Sequence, residues 1–156
     1  MQDGEGDGDR RPAEPPVDPE LPDRRFRRTD PAVLLTVAVG GIAGTATRYA
    51  LGRIFPTVAG TFPWTTFTIN LTGSFLLGAF LAWLYARRPE DRFVRPLVAV
   101  GFLGGYTTFS TAMVESAVLV KDGHAPVAIG YLAAGLVGGL LAVALGVTAV
   151  RRVVRC

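Results

Sequence analysis

The sequence predicts an all-α integral membrane protein of four transmembrane helices, and three observations carry that reading. Of its 156 residues, 49% are hydrophobic and only 19% charged, with a mean hydropathy of +0.35; soluble domains carry more charge than this. The charges are also unevenly placed, since nine of the thirteen acidic residues fall in the first thirty positions with six arginines and five of the eleven prolines. After that segment, apolar runs of about 20 residues, the length that crosses ~30 Å of hydrocarbon, recur four times.

Residues 1–30 are too charged and too rich in proline to bury a core, and they are expected to form a disordered acidic, Arg- and Pro-rich tail. No basic stretch there leads into a short apolar run with a small-residue cleavage site, so the segment does not read as a signal peptide. Residues 31–156 form the transmembrane domain. They hold ten basic against four acidic side chains, so the basic pI of about 9.5 belongs to the membrane part, and nothing suggests nucleic acid.

The first span lies near 32–52, "AVLLTVAVGGIAGTATRYALG". The second, near 62–86, opens "FPWTTFTIN" with Pro63 in its first turn, where a missing N–H costs little, and stops at "RRPEDR". The third, near 94–120, holds "GFLGGYTTFSTAMVE" and stops at "KDG"; the fourth, near 125–150, follows Ala125-Pro126 and ends in "RRVVRC". Connections of about ten residues or fewer make neighbouring spans antiparallel. Gly40, Gly41, Gly44, Gly73, Gly78, Gly135, Gly138 and Gly139 read as packing positions that let helix backbones approach. Cys156 is terminal and His124 stands alone in a loop, which excludes a disulfide framework and a His/Cys metal site. There is no nucleophile with a base beside it and no phosphate loop, so the chain does not read as an enzyme.

The informative residues are polar ones inside apolar spans. Arg48 reads first as an interfacial anchor or a helix C-terminal cation. Thr66, Asn70 and Ser74 recur every fourth residue and so share one face of the second helix. For Asn70, gluing helices together and lining a pathway both stay open. In the third span, Gly104 and Gly105 are expected to break the helix at mid-membrane. Each carbonyl freed there costs several kcal/mol unless it finds a partner, and a bound cation or a wet cavity supplies one. Thr107, Thr108, Ser110 and Thr111 offer hydroxyls that can replace water around a small anion, and Phe109 offers the positive edge of its ring. Hydroxyls bonding back to their own helix carbonyls are the alternative.

At these residues the chain resembles a known family. "GGIAGTATRY", "TTFTINLTGSFLLG" and "GFLGGYTTFST" are similar, in order and spacing, to the signature segments of the Fluc (CrcB) fluoride channels, and the likeness covers nearly everything after residue 31. The resemblance implies an antiparallel dimer with two pores, passive export of fluoride that lowers its cytoplasmic concentration, and one structural Na+. That sodium would be held by the backbone carbonyls of Gly104 and Thr107 from both subunits; oxygen ligands suit a hard cation. Phe109 would match the first aromatic of a pore-lining phenylalanine pair, Asn70 the pore asparagine and Thr66 the polar position one turn before it. Glu115 would match the vestibule carboxylate and Arg48 the arginine of the first helix. Two positions depart from the family pattern: the second phenylalanine is replaced by Ala112, and hydroxyl or amide positions of the fourth helix by Gly135, Gly139 and Val143. These departures leave room for a non-conducting structural or regulatory subunit. A small four-helix multidrug exporter would need an embedded carboxylate in its first helix, and none is present.

Arginines set the expected orientation. Arg24, Arg25, Arg27, Arg28, Arg87, Arg88, Arg92, Arg95, Arg151, Arg152 and Arg155 flank one side of the spans, against Arg53 and Lys121 on the other. This bias predicts a multi-pass plasma-membrane protein with both termini, and so the acidic tail, in the cytoplasm. An antiparallel homodimer requires insertion both ways. The expected partner is therefore a homologous four-helix subunit in the opposite orientation, separately encoded, in preference to a second copy.

Overall fold

The computed structural model describes residues 30–87 and 92–154; the acidic segment up to residue 29, with Arg24, Arg25, Arg27 and Arg28, and likewise Arg88, Arg155 and Cys156, lie outside them. Helix α1 spans Pro31–Ile54. It begins where the chemistry favours a start: Asp30 Oδ1 accepts the Ala32 N–H at 2.9 Å and Pro31 takes the first helical position. Helix α2, Trp64–Arg87, follows Pro63, and the Thr65 hydroxyl donates to the Phe55 carbonyl at 2.6 Å, tying its start to the end of α1.

The third span is divided. Helix α3 covers Arg95–Leu103, wound with the wide i→i+5 spacing of a π-helix, and continues as Gly104–Tyr106. Thr107 and Thr108 are extended, at φ −78°, ψ 158° and φ −151°, ψ 125°. Helix α4, Phe109–Lys121, then resumes the span. It ends on Gly123, whose φ of 83° suits glycine, with the His124 N–H reaching back to the Leu119 carbonyl at 2.7 Å. Helix α5 is the longest, Ala125–Val154. The four spans are each long and apolar enough to cross a membrane, as the sequence predicts.

The break falls later than the sequence suggests. Gly104 and Gly105 remain helical, and the two threonines after them open the backbone. Gly105 has a different task, since a β-carbon there would stand 2.6 Å from the Gly41 carbonyl oxygen of α1. Gly101 is held in the same way, 2.7 Å from the Val37 carbonyl. From the other side, a methyl group on Gly40 or Gly44 would overlap the carbonyl oxygens of Leu97 and Phe102. The α1/α3 seam is thus backbone against backbone, the close approach that replaces hydrophobic drive in lipid.

Helices α2 and α5 cross in the same manner, with Gly78 against the Val143 carbonyl and Gly146 against that of Phe75. In the fourth span the glycine packed on backbone is therefore Gly146, which the sequence reading passes over, while Gly138 stands against the side chain of Leu71 as that reading expects. Gly135, read there as a packing position, meets nothing within 4 Å. Few apolar side chains are buried: Ile69, Leu84, Leu103, Ala112, Leu119, Ala128, Tyr131 and Ala142 make the core, and large apolar residues cover the outside. An ion pair between Asp30 and Arg92 joins the start of α1 to the approach of α3. At the opposite end, the imidazole of His124 lies against Gly60. The described cations sort into two ends, Arg53 and Lys121 at one with Arg48 just inside it, and Arg87, Arg92, Arg95, Arg151 and Arg152 at the other.

Candidate functional site

Opening a helix leaves carbonyls without their usual amides, and the fates of the carbonyls of Gly104, Gly105, Thr107 and Thr108 define the site. In a continuous helix the Thr108 N–H would bond the Gly104 carbonyl. Here it donates to Asn70 Oδ1 at 2.8 Å, while Asn70 Nδ2 donates to the Thr108 carbonyl at 2.8 Å. The Asn70 amide thus pairs in both directions with one residue of the break and fastens α2 to it. The Gly105 carbonyl is taken by α1, whose Arg48 Nε donates to it at 3.1 Å and whose Thr45 hydroxyl approaches at 3.4 Å. The Thr111 N–H, which would serve the Thr107 carbonyl, donates instead to Thr108 Oγ1 at 3.1 Å. So the helix donors of Gly104 and Thr107 have both been diverted to other acceptors. Gly104 is exposed on the surface of the chain and Thr107 half-buried.

This geometry answers several sequence expectations. Arg48, read first as an interfacial anchor, reaches across to the break and neutralises a carbonyl there; no short-range pattern links it to a partner 57 residues away. The hydroxyls after the break form a cap: Thr108 Oγ1 donates to Thr111 Oγ1 at 3.0 Å and lies 3.3 Å from Ser110 Oγ. Thr107 donates back to Leu103 at 2.9 Å, the local bonding weighed as the alternative. Tyr106 is anchored through its hydroxyl, 3.0 Å from Thr72 Oγ1, and its ring stacks on Phe102.

Toward the end bearing Arg53, Thr66 donates to Glu115 Oε1 at 2.8 Å and Tyr131 donates to Oε2 at 2.9 Å. Thr66 and Tyr131 are buried, and together they satisfy both carboxylate oxygens, which a charge at that depth requires. Tyr131 is the site residue that sequence reasoning missed. Its signal was available, because a tyrosine in an otherwise apolar helix needs a partner for its hydroxyl.

Two concavities meet at this group. A polar vestibule of about 300 Å³ is lined by Arg48, Arg53, Thr65, Thr66, Thr108, Thr111 and Glu115, among others. On the far side of the Glu115–Tyr131 bond, a mainly apolar groove of about 340 Å³ runs between α2, α4 and α5, with Asn70, Ser74, Phe109, Ala112, Gly135, Gly139 and Val143 on its walls. Phe109 is 77% exposed, a large apolar side chain standing at an open surface. The predicted residues therefore divide: Asn70 and Phe109 share the groove, Thr66, Thr111, Glu115 and Arg48 share the vestibule, and Gly104 and Thr107 mark the break. Among the described residues no cluster of three His, Cys, Asp or Glu side chains could hold a metal; an ion at the break would depend on backbone oxygen.

Four apolar spans with backbone opened inside the third, and polar groups from two other helices closing on the opening, define a polytopic membrane protein with a built polar site at membrane depth. Comparison with known proteins gives the family: residues 35–147 match the family described as CrcB-like protein, Camphor Resistance (CrcB), and the chain belongs to it. It is 46% identical over 134 residues to Fluoride-specific ion channel FluC 1 of Streptomyces coelicolor, covering 86% of this chain and 87% of the relative. It is 50% identical over 127 residues to Fluoride-specific ion channel FluC 3 of Streptomyces avermitilis, covering 79% and 62%, and 40% identical over 122 residues to Fluoride-specific ion channel FluC 2 of Nocardia farcinica, covering 78% and 87%.

Proposed function

We propose that the chain is a subunit of a fluoride-selective channel in the plasma membrane that lets fluoride leave the cytoplasm down its gradient. The names of the relatives support the substrate. The observation that carries the reading is the convergence of Asn70, Ser74 and the exposed Phe109 on one open groove beside a polar vestibule that holds two arginines. Fluoride is small and tightly hydrated, so a path must return several donors at once for the water it removes. Asn70 spends one Nδ2 hydrogen on Thr108 and keeps a second for the groove. Arg48 and Arg53 raise the local anion concentration in the vestibule, with Thr66, Ser110 and Thr111 beside the entry. Glu115, held by Thr66 and Tyr131, keeps its charge turned into hydroxyl donors.

The released carbonyls of Gly104 and Thr107 fit a structural sodium ion, which would supply positive charge to backbone oxygens left without amides. Their position at the surface of the chain suits a site completed by a second subunit. That subunit is read as a paralogue inserted the other way, because the arginine-rich end holds Arg87, Arg92, Arg95, Arg151 and Arg152 against Arg53 and Lys121 at the other, which favours one orientation with both termini cytoplasmic. Two relatives from Streptomyces avermitilis, named FluC 2 and FluC 3, are in keeping with more than one such chain per cell.

A second reading, a non-conducting partner subunit, is favoured by Ala112, Gly135 and Gly139, which leave the groove wall without an aromatic ring or hydroxyl at those positions. One experiment separates the two. Reconstituted alone, the chain is expected to release little fluoride from loaded liposomes, with a C-terminal reporter active only on the cytoplasmic side; coexpression with the paralogue restores release. A conducting homodimer with reporters on both faces would overturn the heterodimer, and absence of flux in every combination would overturn the channel.

A further inference from the structure

Beyond their crossing at Gly78 and Gly146, α2 and α5 run on toward the arginine-rich end. They leave a second groove of about 680 Å³, separate from the one that holds Asn70. Leu81 and Ala82 of α2 and Val147 and Val150 of α5 form its walls. Its rim carries Tyr85 and Arg151, with the Arg95 guanidinium 5.9 Å from the centroid of the Tyr85 ring. Leu81, Ala82, Val147 and Val150 are half-buried and Arg151 is exposed, so the groove has apolar walls with a cationic mouth near the helix ends. Among the described residues, Asp30 is the acid at that end, and it is paired with Arg92.

We propose that this groove binds an anionic phospholipid. One acyl chain lies along the groove between α2 and α5, and the headgroup phosphate sits on Arg151 with Arg95 beside it. Charge complementarity selects this occupant. Five described arginines gather at this end, at the depth where headgroups lie. A zwitterionic lipid offers the same phosphate but brings a cation of its own into this arginine-rich end, and an apolar helix from a second copy would leave Arg151 without a counter-charge. Guanidinium matches phosphate through two parallel N–H bonds, and the apolar walls match the chain below it. The vestibule at the opposite end also has apolar lining, from Tyr49, Phe55 and Ile69, but it holds about 300 Å³ against about 680 Å³ and its rim carries Glu115 as well as arginines, which disfavours a lipid anion there. The inference is independent of the fluoride reading, since it needs only the membrane orientation of the helices.

Native mass spectrometry of the full-length chain in neutral detergent tests it, with dioleoylphosphatidylglycerol, dioleoylphosphatidylcholine or inorganic phosphate as titrant. One phosphatidylglycerol per chain is expected to survive detergent removal. Arg151→Gln, at an exposed position that leaves the fold alone, should weaken it about fivefold. Ala82→Phe, which fills the groove without altering charge, should do the same, and Arg53→Gln at the other end should leave the retention of phosphatidylglycerol as it is. Equal retention of the two lipids, competition by phosphate alone, an equal loss in Arg53→Gln, or a protein dimer that carries no lipid at this groove would each overturn the assignment.

Discussion

Three of the spans carry glycines spaced four apart, and the structure uses two of these pairs in one way and the third in the opposite way. Gly40 and Gly44 of α1 face Gly101 and Gly105 of α3, and each lies where a β-carbon would run into a backbone atom of the other helix. Gly135 and Gly139 of α5 have the same spacing, yet Gly135 meets nothing within 4 Å and Gly139 only the Ser74 hydroxyl at 3.7 Å. Spacing alone therefore does not say whether a glycine has been used. The first set is consumed inside the chain; the second leaves an open groove wall whose counterpart, if it has one, comes from elsewhere.

The contrast can be broken most forcefully at the closed seam. Gly44→Leu would drive a side chain into the Phe102 carbonyl, with backbone on both sides unable to yield, and overpacking of that kind costs about 3 kcal/mol or more. The expected result is loss of folded protein on size-exclusion chromatography. A monodisperse, fully stable variant would show that α1 and α3 do not meet as described.

Next in size is Asn70→Asp, which keeps an acceptor for the Thr108 N–H but sets a carboxylate oxygen against the Thr108 carbonyl in place of a donor. Fluoride release should fall at least about tenfold, as repulsive charge placed on an anion path predicts, while the protein still assembles. Release equal to wild type would remove Asn70 from the path. A third measurement addresses the break. If the carbonyls of Gly104 and Thr107 hold sodium, the assembled protein should melt higher in sodium than in lithium or potassium salts, by about 2–3 kcal/mol at saturating ion. Equal melting in all three would leave those carbonyls facing only water.

The smallest effect is the sharpest in sign. Gly135→Ala adds a methyl group to open space in a helix interior, where alanine is favoured over glycine by about 0.5–1 kcal/mol. The chain alone should gain a little stability, measured by thermal unfolding in detergent, whereas Gly44→Ala should lose it. A loss of similar size at both positions would mean that the α5 face is already covered by a second copy.

The four spans were legible in the sequence because an apolar run about 20 residues long has few other uses. The sharing of one α2 face by Thr66, Asn70 and Ser74 was legible too, since helical period is a local property. What was not legible depended on contacts far apart along the chain. Gly104-Gly105 looks like a break, and at the level of propensity it is weak helix, but tertiary packing against Gly41 recruits Gly105 into the seam and keeps the pair helical. The opening falls at Thr107-Thr108, and a local signal existed, because a threonine with an acceptor for the N–H three residues on is a helix N-cap. The π winding of Arg95–Leu103 has no counterpart in its composition. Arg48 and Tyr131 resisted for the same reason as Gly105: their partners, Gly105 and Glu115, belong to other helices.

The opening at Thr107-Thr108 also bears on how the chain is made. Synthesis runs from the N-terminus, and domains generally form in that order. The groups that satisfy the break, Arg48 and Thr45 of α1 and Asn70 of α2, precede it in the sequence. When the third span leaves the ribosome, the Gly105 carbonyl and both peptide groups of Thr108 therefore find donors and acceptors already inserted, and these groups do not have to wait unpaired in lipid, where that is costly. Only the Tyr131 bond to Glu115 must await the last helix. A nascent chain halted after Lys121 would accordingly hold its broken helix in register while lacking one of the two hydroxyls on its carboxylate.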